Sequence, residues 1–103
     1  MKKSFLILLF ILSFSVLANA QSWQELNEQV VALCAKGEYK KAILVGEKAI
    51  IAAKKKFGTD HPDYATSLNN LAGPYEGMGR YEKAEPLYVQ AMAIRKKVLG
   101  ESG

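Results

Sequence analysis

Residues 21–61 and 63–103 are two copies of one pattern, set 42 residues apart. Ten pairs are identical: Leu26 with Leu68, Asn27 with Asn69, Gly37 with Gly79, Tyr39 with Tyr81, Lys41 with Lys83, Ala42 with Ala84, Ala49 with Ala91, Lys54 with Lys96, Lys55 with Lys97 and Gly58 with Gly100. A fixed period of roughly 20–50 residues marks stacked supersecondary units, each too small to bury its apolar face alone. The matched residue types are those that set helix geometry. Glycines end helices, alanines admit a close neighbour, and tyrosines fill the space beside them. Such a chain is a short stack of like units, not a cofactor domain joined to a substrate domain.

Each unit reads as a pair of helices, which makes the domain all-α: two stacked antiparallel helix hairpins behind an N-terminal signal helix. In unit one, residues 22–60, Ser22 and Glu25 have the spacing of a capping box. The first helix is predicted over 23–36, with Leu26, Val30 and Leu33 inward, and Gly37 closes it. The second is predicted over 38–57. Tyr39, Ala42, Ile43, Gly46, Ala49, Ile50, Ala53 and Phe57 fall on one stripe of it. Lys54, Lys55 and Lys56 complement its dipole, and Gly58 ends it.

Unit two, residues 61–103, copies the plan. His61-Pro62-Asp63 is a helix start, with Pro in the first turn and an acid at the positive end of the dipole. A helix is predicted over 61–77 with Leu68, Leu71, Ala72 and Tyr75 inward. A last helix over 81–99 turns Ala84, Leu87, Tyr88, Ala91, Ile94 and Val98 inward. No segment alternates strictly, so no strand is expected. Pro74 falls inside the third helix and removes the donor to the Asn70 carbonyl, a loss of ~3 kcal/mol if uncompensated. Gly46 stands where unit two has Tyr88, which predicts a lighter contact in the first hairpin.

Residues 1–20 read as a signal peptide and the domain as 21–103. Lys2 and Lys3 precede an apolar run from Phe5 to Leu17, and Ala18-Asn19-Ala20 offers small residues to a signal peptidase. A membrane span needs roughly 20 apolar residues, and Gln21 and Ser22 follow too soon. A secreted or periplasmic protein is therefore expected, or one anchored to a membrane through residues 5–20 if that segment is not cleaved. Two of the 14 Lys and Arg residues are Lys2 and Lys3, so the remainder sets 12 against 10 Asp and Glu. That balance is too mild for a nucleic-acid module. One Cys and one His supply neither a disulfide within the chain nor a structural zinc site, and no cofactor is expected. Outside the cytoplasm Cys34 is buried, reactive or bridged to another chain. The sequence holds no Gly-rich phosphate loop and no nucleophile beside a base, so neither an enzyme nor a small-molecule substrate is expected.

The segment His61-Pro62-Asp63-Tyr64-Ala65-Thr66-Ser67-Leu68-Asn69-Asn70-Leu71-Ala72 closely resembles the tetratricopeptide repeat (TPR) family. So does Gly79-Arg80-Tyr81-Glu82-Lys83-Ala84-Glu85-Pro86-Leu87-Tyr88, with Ala91 and the stretch from Ile94 to Gly100 after it. The period and these segments look like the long-repeat subgroup typified by the kinesin light chain, over residues 22–103. Pro86 belongs to the family pattern; Pro74 does not, since that subgroup usually carries an aliphatic residue there.

The resemblance implies a function: the first helices of successive units line a concave groove for a peptide or a partner protein. Asn70 matches a position where many members place a groove asparagine, and Asn69 and Asn27 are the matched pair beside it. Unit one has Glu28 at the place of Asn70, so an asparagine ladder would be broken. An amide can clamp an extended peptide backbone because it donates and accepts together; the other reading of Asn70 is a solvated polar residue. The clusters Lys54-Lys55-Lys56 and Arg95-Lys96-Lys97 read either as a basic edge for acidic partners or lipid, or as solvated helix ends. Tyr75, Tyr81 and Tyr88 read as core, and His61 as part of a cap. A second class of function is self-assembly, the chain pairing with copies of itself or with a longer repeat protein. Two repeats fall short of the three or so that a stack usually needs, and Leu87, Tyr88, Ile94 and Val98 cannot all face one hairpin partner.

Overall fold

The computed structural model describes residues 21–100; the signal helix expected over residues 1–20 lies outside them. Four helices and no strand make up the described residues. They are α1 (Trp23–Ala35), α2 (Tyr39–Phe57), α3 (Pro62–Gly77) and α4 (Tyr81–Val98). Each boundary lies within one residue of its expected place, because each is set by local chemistry. The Ser22 hydroxyl accepts from the Glu25 N–H at 3.1 Å and donates to the Glu25 carboxylate at 3.2 Å. At the start of α3, His61 Nδ1 accepts from the Asp63 N–H at 3.0 Å, and Pro62 opens the helix.

The two first helices end alike. Gly37 and Gly79 take φ of 76° and 74°. Past them, Glu38 N–H donates to Leu33 O at 2.9 Å and Arg80 N–H to Tyr75 O at 2.8 Å. This closure needs a left-handed residue and turns the chain back within a few residues, so each pair is an antiparallel hairpin. Helix α3 packs against both α2 and α4, and α1 also lies along α3.

The core follows the small residues. Ala42, Ala49, Ala84 and Ala91 are all buried, where they let neighbouring backbones approach. Ala53, Tyr64, Ala65, Leu68, Ala91 and Ile94 form one cluster, with Trp23, Ile50, Phe57 and Leu87 packed on it. Trp23 meets Phe57 edge-on at 4.8 Å, and Phe57 stacks on His61 at 4.6 Å. An aromatic row thus ties α1 to the end of α2 and the start of α3.

Two expectations, those for Tyr81 and Val98, are corrected. Gly46 faces the second hairpin: it is buried, and a Cβ there would lie 2.9 Å from Leu71 Cδ1. Its bare backbone is what lets α3 close on α2. Tyr81 is 63% exposed rather than core, and Val98 is 38% exposed. The counterpart Tyr39 is half-buried, with its ring where a Cβ on Gly77 would stand, at 2.5 Å. Tyr81 would need the same seat on a following helix. Among the four residues expected to crowd α4, Ile94 is in fact buried, and the large apolar side chains exposed on α4 and its C-cap are Tyr81, Val89, Met92, Val98 and Leu99.

Candidate functional site

Helices α1 and α3 lie side by side and flank an open groove of about 390 Å³, lined by Asn27, Glu28, Val31 and Ala32 from α1 and by Thr66 and Asn70 from α3. The lining is mixed. Val31 is 54% exposed and Ala32 is exposed beside it, so an apolar strip faces outward at mid-groove. Glu28 adds an exposed carboxylate and Asn70 a half-buried amide. These two occupy the same place in successive units, since each follows the matched asparagine.

The floor is held by a buried polar chain. Trp23 Nε1–H donates to the Ser67 hydroxyl, and that hydroxyl donates to Asn27 Oδ1 at 3.3 Å. Ser67 and Asn27 are almost wholly buried, so the side-chain oxygen of Asn27 is spent on joining α1 to α3. An unpaired buried amide would be costly, and here the bond fixes the spacing of the two groove walls. Thr66 donates to the Pro62 carbonyl at 3.1 Å and accepts from Arg95 Nη2 at 3.3 Å. The guanidinium is thereby drawn from α4 to the α3 wall.

Of the three asparagines singled out in the sequence, the structure brings Asn27 and Asn70 to the groove. Asn69 is half-buried on α3 and is not among the lining residues. Val31, Ala32 and Thr66 were not singled out. Their signal was nonetheless present: Val31 lies one turn after Asn27, Ala32 one turn after Glu28, and Thr66 one turn before Asn70. Three residues of the two basic clusters are engaged within the chain. Lys97 Nζ lies 3.0 Å from Asp60 Oδ2, Arg95 turns to Thr66, and Lys56 sits over the Phe57 ring at 5.3 Å.

A family model for the tetratricopeptide repeat matches residues 23–97, which spans all four helices. The chain belongs to the tetratricopeptide-repeat family. A search of curated proteins finds no match. TPR helix pairs generally serve as protein-interaction modules. Among the described residues, no three His, Cys, Asp or Glu side chains gather to hold a metal ion. No helix among them is long and apolar enough to cross a membrane. Cys34 is a half-buried free thiol whose pKa is pushed up by burial, which makes it a poorer nucleophile than an exposed thiol.

Proposed function

We propose that this chain is an exported, non-catalytic TPR module of the long-repeat subgroup, which holds an extended peptide or partner segment between α1 and α3. The observation that carries this reading is the groove lining. Val31 and Ala32 supply an apolar strip, and the Asn70 amide on the facing wall can donate to and accept from a peptide backbone. Glu28 favours a basic side chain next to the apolar one. Asn27 acts from below as a brace, its oxygen bound to Ser67. The signal-like residues 1–20 support export, with cleavage leaving Gln21 at the start.

Selection of peptides from a random library on the immobilised chain tests the binding role. Sequences with a Lys or Arg beside a bulky apolar residue should be enriched. Titration calorimetry should then show their binding lost in Val31→Glu and weakened in Asn70→Ala. Peptides that bind both variants as well as the unmodified chain would refute the groove. Mass spectrometry of protein recovered outside the cytoplasm tests export: the first residue should be Gln21, and a chain retained intact in the membrane fraction would contradict it.

A further inference from the structure

We propose that the outer face of α2 docks this chain on an anionic lipid surface, the helix lying along the headgroups with Leu44 and Ile51 inserted. Ala42, Gly46, Ala49 and Ala53 form the buried line of α2. Helical geometry puts Leu44 and Ile51 on the opposite side of the helix, and they are 62% and 68% exposed. Lys41, Lys48 and Lys55 run along one flank of this pair and Lys40 and Lys54 along the other, all of them exposed. Glu47 is the one acid on the face, and Glu38, just before the helix, pairs with Lys41 at 3.3 Å. Among the described residues, no carboxylate pairs with Lys40, Lys48, Lys54 or Lys55.

The positive charge of the domain is gathered on this face. Residues 21–100 hold 12 Lys and Arg and, without Glu101, nine of the ten Asp and Glu. Five of those bases and two of the acids belong to the face and its edge; the other seven bases are matched by seven acids. All the net charge of the described residues therefore lies on one side of α2, which turns that side toward a negative surface. Two features favour lipid over an acidic protein. Leu44 and Ile51 are about 10 Å apart along the helix, and the exposed residues between them are Glu47 and Lys48. A partner helix interlocks through apolar side chains three and four residues apart, and a seam broken by charges gives it no hold. A specific protein interface also buries about 800 Å² on each partner with matched shapes, whereas a headgroup layer is fluid and needs no matching contour. Lysine suits that layer, since its stem lies along the apolar boundary while the ammonium reaches a phosphate. The groove belongs to α1 and α3, and this face is turned away from both, so a docked chain keeps its groove open.

Spin labels on the full chain test the docking, with helix content checked by circular dichroism. Cys34→Ser removes the native thiol, and a nitroxide is attached through Ile51→Cys or, as a control, through Val89→Cys. Val89 is 58% exposed but lies one turn from Glu85 and beside no lysine. On phosphatidylcholine vesicles that contain phosphatidylglycerol, the label on residue 51 should become accessible to oxygen and shielded from a water-soluble nickel chelate. On phosphatidylcholine alone it should stay in water, and the label on residue 89 should stay in water on both. Lys48→Gln with Lys55→Gln should lower the ratio of inserted to water-exposed label by roughly twentyfold, about fivefold for each lysine at the surface. High salt should lower it as well. Depth is read at one position, so a chain also held through residues 1–20 gives the same answer. A label on residue 51 that stays in water on the charged vesicles would overturn the proposal and leave the face to an acidic protein. Insertion indifferent to phosphatidylglycerol and to the two lysines, or equal at residue 89, would overturn it too, as plain apolar partitioning. Peptide binding in the groove should be unchanged by Lys48→Gln with Lys55→Gln, so the two sites can fail separately.

Discussion

His61 serves α3 twice, through its Nδ1 acceptor to the Asp63 N–H and through its ring on Phe57. His61→Ala removes both and should cost about 1–2 kcal/mol, the range of a lost helix cap, in urea denaturation. His61→Asn restores an acceptor and should recover part of that loss. Two glycines of α3 separate conformational freedom from close approach. A Cβ on Gly73 would meet nothing within 4 Å beyond its chain neighbours, whereas one on Gly77 would fall on the Tyr39 ring at 2.5 Å. Gly77→Ala should therefore destabilise by about 1–3 kcal/mol, and by more than Gly73→Ala, where the added Cβ meets only its chain neighbour Pro74. Equal shifts of the two midpoints would contradict the seating of Tyr39. At the other side of the molecule, the Tyr88 hydroxyl donates to Glu76 at 3.3 Å. Its pKa is raised, by burial first, then by the Glu76 charge and hydrogen bond, and by Cys34. The folded chain holds that proton where the unfolded chain releases it. Stability is therefore complete below the ordinary tyrosine pKa and lost as pH rises through the elevated folded value. The urea midpoint should fall above pH ~10, and Tyr88→Phe should flatten that fall.

Between elements, the buried alanines carry the hairpins. Ala42 and Ala84 have almost no exposed surface, so Ala42→Leu or Ala84→Leu should overpack the contact by ~1–3 kcal/mol or more. The urea midpoint should drop further than in any Cys34 variant, because Cys34 is only half-buried. How much of this was legible in advance depended on how local each signal was. The ends of α1 and α3 could be read because Ser22, His61, Gly37 and Gly79 act within a few residues of themselves. The stripe of α2 could be read because both of its neighbours belong to the repeat. Tyr81 and Val98 could not be placed by the same pattern, since their burial depends on what lies beyond α4. Tyr64 and Ala65, buried in the first turn of α3, were hidden because the apolar run was counted from Leu68. In the groove, Asn70 was legible from its match to the repeat. Val31 and Thr66 were legible only through their one-turn spacing from Asn27 and Asn70, because a side chain on the wall of a groove looks, in one helix alone, like one facing solvent.

At the scale of the molecule, different residues set the groove between α1 and α3 and the stacking of one hairpin on the other. Asn27, Ser67 and Trp23 set the distance between α1 and α3, while Gly46 and Gly77 set the approach of the second hairpin to the first. Loss of the brace should therefore loosen the groove without unfolding α4: in Ser67→Ala, hydrogen exchange should quicken in α1 while Ala91 and Ile94 stay protected. Uniform quickening would show that the four helices behave as one unit. The central claim, that this TPR chain binds peptide between its first helices, is tested most directly by mapping backbone amide chemical shifts as a selected peptide is titrated in. The shifts should concentrate at Glu28, Val31, Ala32, Thr66 and Asn70, and a map centred on Leu44 and Ile51, or on the outer face of α4, would contradict it.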